Sequence, residues 1–369
     1  MKQRIWVIGA GQLGYMMRHA GMPLQLDVLP VDLNHPDAVA LQANDIVTAE
    51  IEYWPENPAT QSLASHPHFI NAKVFGRLAD RLTQKQLLDE LQVATAPWRD
   101  VTRQANAAEL HNTLGDRVLL KSRRGGYDGR GQHWLRQANN DAIPGDWLGT
   151  SIAEQAISFD DEVSLVGIRD DQGRCYFYPL TLNLHVNGIL MASLAPLPQV
   201  SPSQLKHLQQ QAEHMLGKIL HGLDYVGVMA MECFRLKDKL LVNELAPRVH
   251  NSGHWTQSGA SISQFEAHLR AVARLPLHTP VLRAPSAMVN LVGVERDNAW
   301  LAVPGAHLFW YGKEVRPGRK VGHLNLCDPD RERLCESLKQ LRSLLPTHYQ
   351  KVVDWMIQQQ TKMGTSHEH

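Results

Sequence analysis

LVNELAPRVHNSGHWT, residues 241–256, is the stretch on which the fold of this chain turns, and it follows a second apolar segment, VMAMECF at 228–234. Each segment carries one carboxylate inside an apolar run: Glu232 in the first and Glu244 in the second, with Asn243 beside it. Such carboxylates need partners, because an unpaired charge is costly to bury. Two carboxylates and an amide on neighbouring strands suit a hard cation that takes oxygen ligands. Arg248, His250 and Asn251 follow at once, a set that suits a small oxyanion. His250 and His254 also raise zinc, but their neighbours are Asn, Ser and Arg rather than Cys, a poor zinc set. The residues point to metal-assisted chemistry on a phosphate with a second anion alongside, against the plainer reading of charges at strand edges.

Upstream, RRGGYDGRG at 123–131 places four glycines between apolar strands, so the backbone can close on an anion with its N–H groups as donors. Lys121 precedes this loop, and Arg123, Arg124 and Arg130 add charge. With no G-K-[ST] before a helix it is not a Walker A loop; a flexible surface hairpin is the alternative. GAGQLG at 9–14 matches G-x-G-x-x-G between a strand and a helix, with Asp32 closing the next strand. That motif fits a nicotinamide nucleotide, another phosphate on the helix N-terminus, or a tight turn. EQAISFDDEVSLV at 154–166 offers a strand whose backbone suits a purine edge and Glu162 as a ribose acceptor, or else solvated carboxylates. KEVRPGRKVGH at 313–323 holds Lys313, Arg316, Arg319 and Lys320: a solvated basic face, or a cap over a charged substrate.

At 369 residues the chain is long for one core, so two or three domains are expected. Thirty-seven basic and 37 acidic residues give a formal charge of zero, which argues against nucleic-acid or anionic-membrane partners. No apolar run approaches membrane-spanning length, and the N-terminus lacks the features of a signal peptide. Cys175, Cys233, Cys327 and Cys335 form no CxxC pair, which fits reduced thiols in a cytoplasmic protein. Strands at 5–10, 25–32 and 45–52 around a helix predict a parallel sheet. RLADRLTQKQLLDEL at 77–91 reads as one helix, ending before Pro97. From 99 to 280 the pattern is antiparallel, with helices at 201–220, capped by Ser201 or Ser203, and at 261–275. A smaller β-rich unit follows, and the last residues are polar.

GGYDGRG, the Glu232 to Asn243-Glu244 arrangement and NELAPRVHNSGHWT resemble the ATP-grasp superfamily and, within it, the N5-carboxyaminoimidazole ribonucleotide synthetases of bacterial and fungal purine synthesis. The similarity runs in order from GAGQLG through AEIE, DRLTQKQ, TAPW and GGYDGRG to RPGRKVGHLN, nearly the whole chain. Tyr15 stands where family members often carry Arg after GQLG, a departure at one phosphate contact. The resemblance implies an α/β chain, α+β in its centre, of ATP-grasp fold. A Rossmann-like domain would span 1–98. The ATP-grasp domain would span 99–280, with a glycine-rich lid at about 115–157, and a C-terminal domain closing the substrate site would span 281–369.

The same resemblance implies a set of roles. Arg81, Lys121 and the loop Gly125, Gly126, Tyr127, Asp128, Gly129, Arg130 and Gly131 would hold the ATP phosphates. Glu154, Gln155, Ala156 and Ile157 would face the adenine and Glu162 the ribose, while His185 and Asn243 would line the cleft. Glu232 and Glu244 would bind Mg²⁺, with Mn²⁺ as a substitute. Arg248, His250, Asn251 and Lys313 would hold bicarbonate as the catalytic set. 5-Aminoimidazole ribonucleotide would place its phosphate near Gln12 and the first glycine turn. Glu52 (or Glu50), Tyr127, Arg130 and Arg319 or Lys320 would contact the rest. The implied reaction is ATP- and bicarbonate-dependent carboxylation of that ribonucleotide through carboxyphosphate, by a cytoplasmic homodimeric ligase. A nicotinamide-dependent oxidoreductase would leave GGYDGRG and both glutamates unexplained. Formate-dependent glycinamide ribonucleotide transformylase and biotin carboxylase, other ATP-grasp ligases, fit neither the length nor RPGRKVGHLN. A non-catalytic nucleotide-binding module has no use for so many ligand-type residues.

Overall fold

The computed structural model describes residues 2–34, 39–126 and 129–361. The chain opens with β1 (Arg4–Ile8), α1 (Gln12–Gly21), β2 (Asp27–Val31) and β3 (Ile46–Ala49). These strands form a parallel sheet in the order β2-β1-β3, as the strand–helix–strand pattern predicts. Leu13, Met16 and Met17 make the buried stripe of α1, at the i, i+3, i+4 spacing of one helix face. Helices α2 (Pro58–Ala64), α3 (Ala72–Leu78) and α4 (Arg81–Glu90) follow. The single helix expected over 77–91 is therefore two. Asp80 breaks it, because its extended backbone and its carboxylate, which accepts from the Leu82 N–H, make it the N-cap of α4.

The second unit holds β4 (Trp98–Val101), α5 (Ala107–Leu114), β5 (Arg117–Ser122), β6 (Gln132–Arg136) and β7 (Ser151–Gln155). Its four strands form an antiparallel sheet in the order β4-β7-β5-β6. The sheet around the glycine-rich loop thus begins at Trp98, earlier in the chain than the loop's own hairpin.

A larger antiparallel sheet faces it. Its members are β8 (Asp161–Arg169), β9 (Cys175–Phe177), β10 (Thr181–Val186), β11 (Ile189–Ala195), β12 (Gly227–Leu236), β13 (Lys239–Ala246), β14 (Ser286–Val292), β15 (Ala306–Trp310) and β16 (Lys320–Cys327). The order is β13-β12-β8-β10-β11-β14-β16-β15, with β9 on β8. The C-terminal strands therefore extend the central sheet, because β14 pairs with β11. Helix α6 (Pro202–Gly222) is capped by Ser201, whose hydroxyl accepts from the Gln204 N–H. Its buried side chains include Leu208, Leu216 and Ile219; truncating one to Ala costs about 2–5 kcal/mol. Helices α7 (Thr256–Gly259) and α8 (Gln264–Val272) precede β14, and α9 (Arg331–Leu344) and α10 (Gln350–Thr361) end the described chain. One buried cluster joins Leu13 and Met17 of α1 to Phe265 and Leu269 of α8, which seats the parallel sheet against the large one. No helix among the described residues is long and apolar enough to cross a membrane.

Candidate active site

The hairpin β12–β13 sets Glu232 directly opposite Glu244. Cross-strand partners in an antiparallel pair share a face, so the two carboxylates converge as their spacing suggests. The register then shifts: Cys233 pairs with Val242, which leaves Asn243 as the extra residue of a β-bulge. Regular pleating would send Asn243 and Glu244 to opposite faces, and a bulge re-aims one of them. Both now face the small sheet. Asn243 Oδ1 accepts from Lys121 Nζ at 2.8 Å, and Glu244 Oε2 accepts from Arg81 Nη2 at 3.2 Å. Val242 and Leu245, on either side, are buried.

Arg81, the first residue of α4, ties three parts together. Besides Glu244 it donates to the carbonyls of Gly126 (3.1 Å) and Ser122 (3.4 Å), so one guanidinium spans the glycine loop and the carboxylate pair. The loop closes where Ser122 N–H donates to Gly131 O at 2.9 Å. Gly131 has φ +66, and a Cβ there would lie 2.1 Å from Ser122 Oγ; only glycine fits. Tyr127 and Asp128 lie outside the described residues. Arg123 and Arg124 do not serve the loop: both reach Asp80, at 2.7 and 3.3 Å.

Beneath the loop lies a buried ion triad. Glu154 meets Lys121 Nζ at 2.7 Å and Lys85 Nζ at 2.9 Å, and all three residues are buried. Burial pushes the Glu154 carboxyl up, but the charges and hydrogen bonds of Lys121 and Lys85 outweigh it and bring it down to about 2. Lys85 also donates to Thr95 Oγ1 at 2.6 Å, which donates to Val242 O at 2.6 Å. The Glu154 side chain is thus committed to the lysines, and beyond it the Gln155 and Ala156 N–H groups donate to Pro97 O at 2.9 Å and Arg117 O at 3.1 Å, with Gln155, Ala156 and Ile157 half-buried at the end of β7.

Across the large sheet His185 Nδ1 pairs with Glu162 Oε2, and its Nε2 lies 4.0 Å from Glu232 Oε1. Burial pushes His185 down, but Glu162 and Glu232 outweigh it and lift it above its ordinary value. Glu232 is itself raised by burial, with Glu244 adding to the effect and His185 opposing it. His250 Nε2 lies 3.8 Å from Glu232 Oε1, and its Nδ1 lies 2.9 Å from Ser252 Oγ. Burial, then Arg248 and Lys320, hold His250 well below the ordinary range, so it is a neutral imidazole at pH 7. Arg248 Nε donates to Glu52 Oε1 at 2.8 Å.

Asn251 is not turned toward this cleft in the manner the sequence suggests. Its side chain is buried and paired with Asn290 of β14: Asn251 Nδ2 donates to Asn290 Oδ1 at 3.0 Å, and Asn290 Nδ2 donates back to Asn251 Oδ1. Lys313 Nζ donates to Gln12 Oε1, which brings the basic C-terminal run onto the first glycine turn. Arg319 Nη1 donates to Glu314 O at 3.3 Å. Of the two acidic candidates after β3, Glu52 faces Arg248, whereas Glu50 is buried on the glycine turn. Sequence reasoning missed Lys85, Asp80 and Asn290. The first carried a signal: Lys85 lies four residues after Arg81, one helical turn along the same face.

Among the described residues no group of three or more His, Cys, Asp or Glu forms a metal cage. A facing carboxylate pair fits Mg²⁺, which binds through one or two carboxylates plus substrate phosphates. A cleft between two antiparallel sheets, a glycine hairpin over it, and Lys and Arg beside a carboxylate pair define an ATP-grasp ligase. The ATP-grasp family model matches residues 86–265, and that of the phosphoribosylaminoimidazole carboxylase C-terminal domain matches 286–337. N5-carboxyaminoimidazole ribonucleotide synthase of Escherichia coli is 53% identical over 365 residues, 99% of this chain and 100% of the relative. The synthetase of Thermus thermophilus superposes with a TM-score of 0.80 at 39% identity, covering 92% of this chain and 98% of that one. The synthase of Aspergillus clavatus, solved in complex with ADP and 5-aminoimidazole ribonucleotide, gives 0.79 at 26%, covering 96% and 99%. The chain belongs to the N5-carboxyaminoimidazole ribonucleotide synthase family.

Proposed function

We propose that this chain carboxylates 5-aminoimidazole ribonucleotide to N5-carboxyaminoimidazole ribonucleotide, with ATP and bicarbonate as co-substrates. The observation that carries the reading is the register-opposed pair Glu232/Glu244, tied through Arg81 to the glycine hairpin and flanked by His250 and Arg248. A bicarbonate oxygen attacks the γ-phosphorus and the bond to ADP breaks, giving carboxyphosphate. Lys121, Arg81 and the loop amides neutralise charge on the moving phosphoryl group. Mg²⁺ held by Glu232 and Glu244 would add positive charge there, and Mn²⁺ would substitute. Carboxyphosphate hydrolyses readily, so the hairpin at 123–131 serves as the lid that excludes water. Carboxyphosphate breaks down to CO₂ and phosphate, and the exocyclic amine attacks CO₂ to form the N–C bond. The amine proton passes to neutral His250 or to the released phosphate.

On this reading 5-aminoimidazole ribonucleotide lies between the first glycine turn and the basic run, near Gln12, Glu52, Arg319 and Lys320. Bicarbonate lies by Arg248 and His250, with Lys313 within the same wall. Assembly as a homodimer in the cytoplasm belongs to the same proposal. ADP release measured with and without each co-substrate tests it. Strong dependence on both 5-aminoimidazole ribonucleotide and bicarbonate is expected. Release indifferent to both, or tight NADH binding with no response to Mg-ATP, would overturn it.

A further inference from the structure

The motif GAGQLG has an occupant already, and it comes from within the chain. Glu50 follows β3, which pairs with β1 so that Ala49 lies beside Ile8, and the Glu50 N–H donates to Ile8 O at 3.1 Å. That pairing places Glu50 beside the turn that follows β1. Its Oε1 accepts from the Gly11 N–H, and its Oε2 accepts from the Gly14 N–H at 2.6 Å. The side chain is buried. A Cβ at Gly9 would lie 2.6 Å from Glu50 Cγ, and one at Gly11 would lie 2.9 Å from Glu50 Oε1. Two of the three motif glycines are therefore reserved by this carboxylate. Helix N-termini favour an anion, and here the anion is a side chain.

We infer that Glu50 is a positioning residue: as the resident anion of the glycine turn, it fixes Gln12 for the ribonucleotide substrate and, through Gln12, steadies Lys313 of the bicarbonate wall. Gln12 is the residue between the clamped Gly11 and the rest of α1, and its Oε1 takes the Lys313 ammonium. Lys313 is half-buried, and burial and Arg319 depress its ordinary value while Glu50 acts the other way, so the charge of Glu50 is felt at Lys313. Without Glu50, the half-buried Gly11 N–H and the buried Gly14 N–H lose their acceptor, which is costly, and the turn can move with Gln12 on it. The inference rests on the function proposed above for its kinetic arm only.

Glu50→Ala removes a carboxymethyl group, the size of acetate. The variant is expected to raise the KM for 5-aminoimidazole ribonucleotide roughly tenfold, the size of one charged hydrogen bond, with the KM for ATP nearly unchanged. Sodium acetate should restore the first KM and raise the melting temperature of Glu50→Ala, with no effect on the wild type; acetamide should do neither. Gly11→Ala, which displaces the carboxylate, should give the same selective loss without responding to acetate. If Glu50→Ala does not fold, Glu50→Gln, which sets an amide N–H against the turn, should show the selective KM change. Equal losses for both substrates, or no acetate response in a folded Glu50→Ala, would overturn the inference. A wild type lacking ribonucleotide-dependent ADP release would sink the proposed function instead, and the acetate-dependent melting temperature would still decide the role of Glu50.

Discussion

Arg248 and Glu52, 196 residues apart, meet in a hydrogen-bonded ion pair of 2.8 Å that joins the end of the metal-type hairpin to the parallel sheet. On the proposed function the pair separates the bicarbonate side of the cleft from the ribonucleotide side. Replacing Glu52 by Gln keeps the shape and removes the charge. The kcat/KM for the ribonucleotide should fall, and a double-mutant cycle of Glu52→Gln with Arg248→Met should give a coupling of about 1 kcal/mol. Strictly additive effects would show that the two residues act separately.

Glu244→Gln should lose ADP formation by about a hundredfold or more through weaker Mg²⁺ binding, while circular dichroism stays that of the wild type. Glu244 shares Arg81 with the Gly126 carbonyl, and on the proposed metal role the loss should ease partly at high Mg²⁺. Normal turnover in this variant would refute the metal assignment.

His250 is held neutral by burial and by Arg248 and Lys320. Its folded value lies below its ordinary one, so the base form persists as pH falls below about 6.5. Activity limited by this base should hold to pH values where an exposed histidine would already be protonated. His250→Ala should lower carboxylation more than ATP affinity; equal losses in a titration of both would point to a structural role.

Glu154 gives a stability prediction with a definite sign. Its folded value, about 2, lies below the ordinary 4.5. The stability it contributes is present above pH 4.5 and is lost as pH falls toward 2. The loss is on the order of 3 kcal/mol. Glu154→Gln should unfold more readily at pH 7, by about 3–5 kcal/mol, because Lys85 is left buried without a counter-charge. Its stability should then change less than that of the wild type between pH 4.5 and 2. Urea melts at pH 7, 4 and 3 measure this, and parallel pH curves would rule the triad out.

The strands around GAGQLG, GGYDGRG and the Glu232 and Glu244 segments were legible because alternation, glycine punctuation and apolar flanks are local signals. The break at Asp80 was less so, since its leucine stripe continues a helical period and only the cap interrupts it. What could not be read were pairings made by the fold. Asn251 looked like an anion ligand, yet Asn290, 39 residues on, takes its amide. Glu154 looked like an adenine contact, and two lysines from α4 and β5 hold its carboxylate. GAGQLG looked like a phosphate turn, and Glu50 fills it. In each case the sequence showed a polar group able to bind something and left open which group it would bind.

The extra residue at Asn243 has a consequence for how this hairpin tolerates change. Two adjacent side chains serve one cleft only because the pairing slips there. Deleting Asn243 would remove an amide and also restore strict alternation. Every residue from Lys239 to Val242 would keep its partner and its face, because Val242 opposite Cys233 and Glu244 opposite Glu232 are already successive rungs, and the cleft would lose the acceptor of Lys121. An irregularity of one residue thus adds a second polar side chain to the cleft while the pairing on either side of it stays in register.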